Sequence, residues 1–430
     1  MISMLLVIIY LSFISLGLPD SLLGSAWPVM HLDLGVSESI AGVVTMIISF
    51  GTIVSSLQSD RLTHKCGAGK VTAVSVFMTA AALFGFSISG KFWQLCLWAI
   101  PYGLGAGAVD AALNNFVALH YTSRQMSWLH CCWGLGASIS PYIMGAALTG
   151  GMGWHGGYRM VSIIQVVLSA VIFLSLPQWK KTPKLNTDEA ADRSSKKITE
   201  ESEEKLKTES EINITNKSVN EAGTEISDVP VDDGPIPLRE VIRIPGAMFV
   251  FIMFFAYCAM EQTTMLWASS YMVGVKSVPT ETAARFAALF TIGITIGRFI
   301  SGFISNRLGD RNMIRLGAIV AGVGIVMITL PIEGTAFAIM GLIVLGIGCG
   351  PIYPSIIHST PANFGADKSQ AIVGMQMASA YVGTTFMAPF FGVVSRFAGI
   401  GSLPVYLFLF FVLMLVMSGC LNRTVDRARK

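Results

Sequence analysis

The sequence predicts an all-α membrane protein of twelve transmembrane helices, arranged as two pseudo-symmetric six-helix bundles. Three observations carry that prediction. Hydrophobic residues make up 53% of the 430-residue chain and charged residues 13%, at a mean hydropathy of +0.63, whereas an ordinary soluble domain is about a quarter charged. Apolar runs of roughly 18 residues or more, enough to cross a bilayer as helices, recur along the chain. The two halves also echo one another in order and spacing.

Taken in order, the expected spans of the first half are 4–30, 38–59, 71–89, 93–119, 126–149 and 158–177; those of the second are 246–273, 283–305, 313–331, 335–358, 369–395 and 402–421. The first run lacks a basic flank and is too long for a signal-peptide core, so it reads as a retained span. Lys and Arg then set the orientation. With both termini cytoplasmic, only Lys91, Arg159, Lys276, Arg285 and Arg396 fall outside, and Arg298 lies within a span. The other basic residues lie on the inner side, as the positive-inside bias demands. The expected location is therefore the cytoplasmic membrane, multi-pass.

Between the halves the composition changes. From Trp179 to about Asp233 the chain is rich in Glu, Lys, Ser, Thr and Asn, without apolar periodicity. Such a stretch cannot bury enough surface to fold alone and is expected to be a disordered linker. The domains are accordingly 1–178, a cytoplasmic linker over 179–243, and 244–430 with a short cytoplasmic tail. Pro237 to Ile244, PLREVIRI, is expected to form a short amphipathic helix at the inner leaflet. Seven cysteines, only Cys66 of them in a loop, show neither a disulfide framework nor zinc spacing, and no metal site is expected.

The internal repeat locates the interesting residues. GLGAG (Gly103 to Gly107) precedes Asp110, as GIGCG (Gly346 to Gly350) precedes Tyr353. Asp20 and Trp27 in the first span correspond to Glu261 and Trp267 in the seventh. Parallel six-helix repeats are how two-lobed transporters are built. The loops SLQSDRLTHKCGAGK (Ser56 to Lys70) and GFISNRLGDRN (Gly302 to Asn312) resemble the signature loop of the major facilitator superfamily. GLGAGAVDAALNNFV (Gly103 to Val117), YCAMEQTTMLWASSY (Tyr257 to Tyr271) and GRFISG (Gly297 to Gly302) are similar to its fucose-permease, sugar-transporter branch. That resemblance implies the major facilitator fold, and gating contacts at Asp60, Arg61, Lys70, Asn306, Arg307 and Arg311. It further implies that the first three form a charge latch where the lobes meet when the inner gate is shut. Asp20 stands one turn before the position at which fucose permease carries its own first-helix acid.

Three acids sit near the middle of their spans: Asp20 about 16 residues in, Asp110 about 17 and Glu261 about 15, at ~1.5 Å per residue. A carboxylate in a bilayer costs at least ~2.5–3.5 kcal/mol, so each should face a bundle interior or a wet cavity. Gly103, Gly107, Asp110 and Asn114 share one helix face. Ion coupling is assigned to Asp20, Asp110, Glu261 and Arg298. Substrate contact is assigned to Asp110, Asn114, Asn115, Trp27, Tyr257, Glu261, Gln262 and Trp267, a mix of acids, amides and aromatics suited to sugar hydroxyls and a pyranose face. Arg298 either pairs with a carboxylate across the cavity or snorkels to the surface. His130 reads as a packing or hydrogen-bonded histidine, and His120 and His358 as surface residues.

The expected function is secondary active transport of a small polar solute, a sugar as first choice, by proton-coupled symport and alternating access. Sodium is the alternative coupling ion because Pro19 precedes Asp20, where a broken helix would free carbonyl ligands. No other cofactor is expected. The alternative function is a proton-driven export antiporter for drugs or metabolites, since GASISPYIMG (Gly136 to Gly145) resembles the antiporter signature with Ser140 and Met144 in place of glycines. No Walker motif, HExxH or Ser/Lys dyad is present, so neither ATP-driven transport nor an intramembrane enzyme is expected. The expected partners are the solute and the bilayer, with no nucleic acid, and the chain should work as a monomer.

Overall fold

The computed structural model describes residues 4–37, 40–179, 234–278, 280–330 and 335–429, without the side chains of 280–288. Twelve helices are long and apolar enough to cross a membrane. The first lobe holds α1 (Met4–Asp20), α2 (Leu22–Asp33), α3 (Ala41–Cys66), α4 (Ala68–Ser87), α5 (Phe92–His120), α6 (Ser123–Thr149) and α7 (Gly153–Trp179). A short α8 (Leu238–Arg243) leads into the second lobe: α9 (Ala247–Lys276), α10 (Thr280–Leu308), α11 (Asp310–Thr329), α12 (Ala336–His358), α13 (Thr360–Phe364), α14 (Ser369–Val382), α15 (Ala388–Ala398) and α16 (Leu403–Ala428). Two spans are composite. The first is α1 plus α2, and the eleventh is α14 and α15 joined by a π turn, Gly383–Met387.

The expected spans all appear, most of them a few residues longer, because helices continue into polar flanks that the apolar runs exclude. The helix expected at PLREVIRI is α8, with Val241 buried. The expected linker lies largely outside the described residues.

In lipid no hydrophobic force draws helices together, so close backbone approach and interhelical hydrogen bonds must do so. The repeat supplies both. On α5, a side chain at Gly103 would strike the backbone at Ile48 of α3. On α12, one at the matching Gly346 would strike that at Phe290 of α10. Polar pairs supplement the packing: Ser56 donates to the Gly107 carbonyl at 3.2 Å, and Thr79 to Gln165 at 3.0 Å.

Among the described residues, the hydrogen bonds that cross between the lobes lie in their middle and toward the end where Arg61, Arg124, Arg307 and Lys368 sit. At this basic end Asn115 donates to Gln370 at 2.8 Å, and Gln370 to Ser59 at 3.4 Å. Gly374 of α14 lies on α3 at Ser56 and Ser59, and Gly302 of α10 takes the Trp128 indole of α6.

Candidate functional site

The first-helix acid owes its setting to a proline. Pro19 has no N–H for the Ser15 carbonyl one turn back, and Gln165 of α7 donates to that carbonyl instead, at 2.8 Å. The helix then breaks at Ser21, as expected from Pro19, and Asp20 projects from the break. Gly17 lies directly on the α6 backbone at Trp133, so the two helices touch there. The Trp133 indole N–H donates to Asp20 at 2.8 Å, and Tyr102 to its other oxygen at 3.4 Å. Asp20 itself is exposed, beside the half-buried Trp133 and the buried Tyr102.

Trp133 leads to the second lobe. The Arg298 guanidinium of α10 faces its ring at 5.5 Å and the Tyr353 ring at 5.9 Å. Arg298 is only 4% exposed; it donates to Glu261 of α9 at 3.4 Å and to the His130 carbonyl of α6 at 3.4 Å. Arg298 thus does not snorkel; it pairs with a carboxylate, but one on the neighbouring helix of its own lobe rather than across a cavity. Its Nε–H has no partner among the described residues. Tyr257, fully buried, spends its hydroxyl on the Cys349 carbonyl at 2.9 Å and sets its ring edge-on to Tyr353 at 6.1 Å. Gln262 follows Glu261, half-buried.

His130 continues the chain of contacts. Its Nε2 meets the Asn114 amide oxygen at 3.0 Å, and the Asn114 amide N–H donates to Asp110 at 2.8 Å. The second Asp110 oxygen accepts from the Tyr381 hydroxyl of α14, in the other lobe, at 2.6 Å. Asp20, Asp110, Glu261 and Arg298 therefore belong to one network drawn from both lobes.

Other expected site residues lie elsewhere. Asn115, next to Asn114, points a different way round the helix and joins the basic-end seam through Gln370. Trp27 packs in the first lobe near Phe92 and His31, with ring centroids 6.5 and 6.3 Å away. Trp267 donates to the Ala388 carbonyl at 2.7 Å and packs on Phe391 within the second lobe.

The gate also takes another form than the expected latch of Asp60, Arg61 and Lys70. Arg61 and Lys70 are exposed, while Asp60 is 5% exposed and accepts the Ile236 backbone N–H at 2.9 Å, with His64 at 3.4 Å. The carboxylate turns inward, to the chain that enters α8. Asn306 does cross the seam, accepting from the Arg124 backbone at 3.2 Å. Arg307 is exposed, and Arg311 pairs with Asp426 at 2.8 Å inside its own lobe. The lobes are instead clasped by Asp310 and His358, 2.7 Å apart, which both reach Ser123; His358 also meets the Tyr121 carbonyl at 3.0 Å. His358 is therefore not a surface residue. Trp133 and Tyr381 escaped the sequence reading because each sits in an apolar run with no charge to mark it; Tyr353 entered it only as the repeat counterpart of Asp110, and Gln370, two residues past Lys368, passed as part of a polar helix start.

The match to known proteins follows this geometry. The fold agrees with FucP in its outward conformation, at a TM-score of 0.72 and 14% identity, over 96% of this chain and 98% of that one. It agrees also with the proton:xylose symporter XylE, at 0.70 and 10% identity, over 98% and 95%. In sequence the chain is 22% identical over 284 residues to Bypass of stop codon protein 6 of Saccharomyces cerevisiae, covering 65% of this chain and 53% of that protein. It is 25% identical over 149 residues to the multi-drug resistance efflux pump PmrA of Streptococcus pneumoniae, covering 32% of this chain and 37% of the pump. The chain thus spans about half the length of the first of these relatives and less of the second. Residues 9–387 match the Major Facilitator Superfamily profile. The chain belongs to the Major Facilitator Superfamily, a family of membrane transporters.

Proposed function

We propose that this chain is a proton-coupled symporter for a small polar solute, a sugar in the first instance, which it moves by rocking two lobes around the central network. One observation carries the reading: acids, amides and aromatic hydroxyls from both lobes converge midway along the helices while the basic end is clasped shut. Asp110 and Asn114 offer acceptor and donor to sugar hydroxyls. The unpartnered Arg298 Nε–H offers another donor, since a buried donor left unmatched costs about 1–3 kcal/mol. Asp20, Asp110 and Glu261 are the proton carriers in this reading. The basic end is cytoplasmic, the membrane is the cytoplasmic membrane, and the functional unit is a monomer. The likeness to FucP and XylE supports a sugar.

Reconstituted protein tests it. Adding hexoses and pentoses in turn to proteoliposomes should produce solute-dependent proton uptake for at least one sugar. A solute response that needs sodium and moves no protons would assign the break beside Asp20 to sodium instead. The second reading, an export antiporter, is favoured by the stretch shared with PmrA and by GASISPYIMG. Proton-driven efflux of lipophilic dyes without any sugar response would establish it in place of the first.

A further inference from the structure

The two oxygens of Asp110 have different owners. One accepts from Asn114 on its own helix and the other from Tyr381 of the opposite lobe. Tyr381 stands two residues before the π turn Gly383–Met387. That turn has a local cause: Pro389 withholds the N–H that would close the α-helical bond to Thr385, and the helix widens ahead of it. The far side of the turn is held within the second lobe, where Tyr406 donates to the Met387 carbonyl at 2.8 Å and Trp267 to that of Ala388 at 2.7 Å. On the near side, among the described residues, α14 is tied to the first lobe through Tyr381 beside the turn and, two turns or more back at the basic end, through Gly374 and Gln370. The turn itself starts on α9 of its own lobe, where Gly383 lies against the Phe255 backbone, so the tie to the first lobe that stands next to this widened, hinge-like turn is the Tyr381 hydroxyl, a releasable pin.

We propose that Tyr381 is the positioning residue that passes the protonation state of Asp110 to this hinge, so that neutralising the acid frees α15 to move relative to the first lobe. A carboxylate accepts the Tyr381 hydroxyl strongly, because hydrogen bonds to ionised groups are about twice as strong as neutral ones. Once protonated, Asp110 is a weaker acceptor at that oxygen and the pin loosens. Among the described residues, the other polar or charged groups facing the pair are Asp20 from α1, Cys258 from α9 and Tyr353 from α12, with Glu261 and Arg298 behind Tyr353 and His130 behind Asn114. The inference rests on Asp110 being a proton carrier in the proposed function.

The test needs no substrate. Nitroxide labels at exposed Phe397, near the end of α15, and exposed Leu32, near the end of α2, report their separation in the full-length protein in lipid nanodiscs, in acid and in alkaline buffer. The natural protein should shift by roughly 2–5 Å between the two, the range of helix movements in switching proteins. Tyr381→Phe should hold one distance in both buffers. Asp110→Asn, which leaves Tyr381 an acceptor that cannot ionise, should also be insensitive. A Tyr381→Phe protein that shifts like the natural one, beside an insensitive Asp110→Asn, overturns the role of Tyr381 alone. An Asp110→Asn protein that still shifts removes Asp110 as the proton carrier, and a natural protein that does not shift removes the hinge.

Discussion

The lobes are joined in two places whose balance of chemistry differs, although the Asp310–His358 pair makes the basic end ionisable as well. At the middle the ties run through charged or ionisable groups, Asp110 to Tyr381 and Arg298 to the His130 carbonyl. A solute hydroxyl or a proton can compete for each of them. At the basic end they run through neutral amides, glycine contacts and the Asp310–His358–Ser123 clasp. Close packing there leaves nothing for a solute to displace. The contrast separates a site, where bonds are traded, from a seal, where surfaces part together. Alternating access needs both.

The strongest way to break that contrast is to remove the Arg298 guanidinium from the middle. Arg298→Ala leaves Glu261 without its partner and should cost about 3–5 kcal/mol, measured as a large fall in the melting temperature of the detergent-solubilised protein. Replacing Arg298 and Glu261 together by Met should lose clearly less, since no lone charge remains; equal losses would show that the pair is not coupled. Next in size, Asp110→Asn should reduce concentrative uptake of the responding sugar by about tenfold or more; natural accumulation would take the acid out of the mechanism.

The seal should answer more gently. In a His358→Ala background, a cysteine placed at Ser59, beneath Gln370, should alkylate roughly tenfold faster as the clasp loosens. An unchanged rate would mean that packing alone holds that end. Smallest is Arg311→Ala. Its pairing with Asp426 lies within one lobe and is partly solvated, so the change in stability should stay below about 1 kcal/mol. A larger loss would make Arg311 part of the seal after all.

Much of the site could be read in advance because charge is conspicuous in an apolar run. Asp20, Asp110, Glu261 and Arg298 announce themselves by the cost of burying them, and they do share one network. Their partners do not announce themselves. Tyr381 is separated from Asp110 by 271 residues, and an aromatic in a spanning helix looks the same whether it packs, anchors or donates. Trp27 and Trp267 show the converse: each follows an acid along its helix, and Trp27 shares a face with Asp20, yet their rings turn into their own lobes. Asp60 shows how a motif can name a residue without naming its partner, here the Ile236 peptide N–H.

Composition and periodicity by themselves determined the twelve spans and the duplicated halves, because a bilayer imposes length and apolarity on each helix separately. Which lobe meets which, at which end, and through Tyr381, His358 or Gln370, was decided only in three dimensions. A contact between distant helices depends on rotation and register, and neither leaves a periodic trace in one strand of sequence.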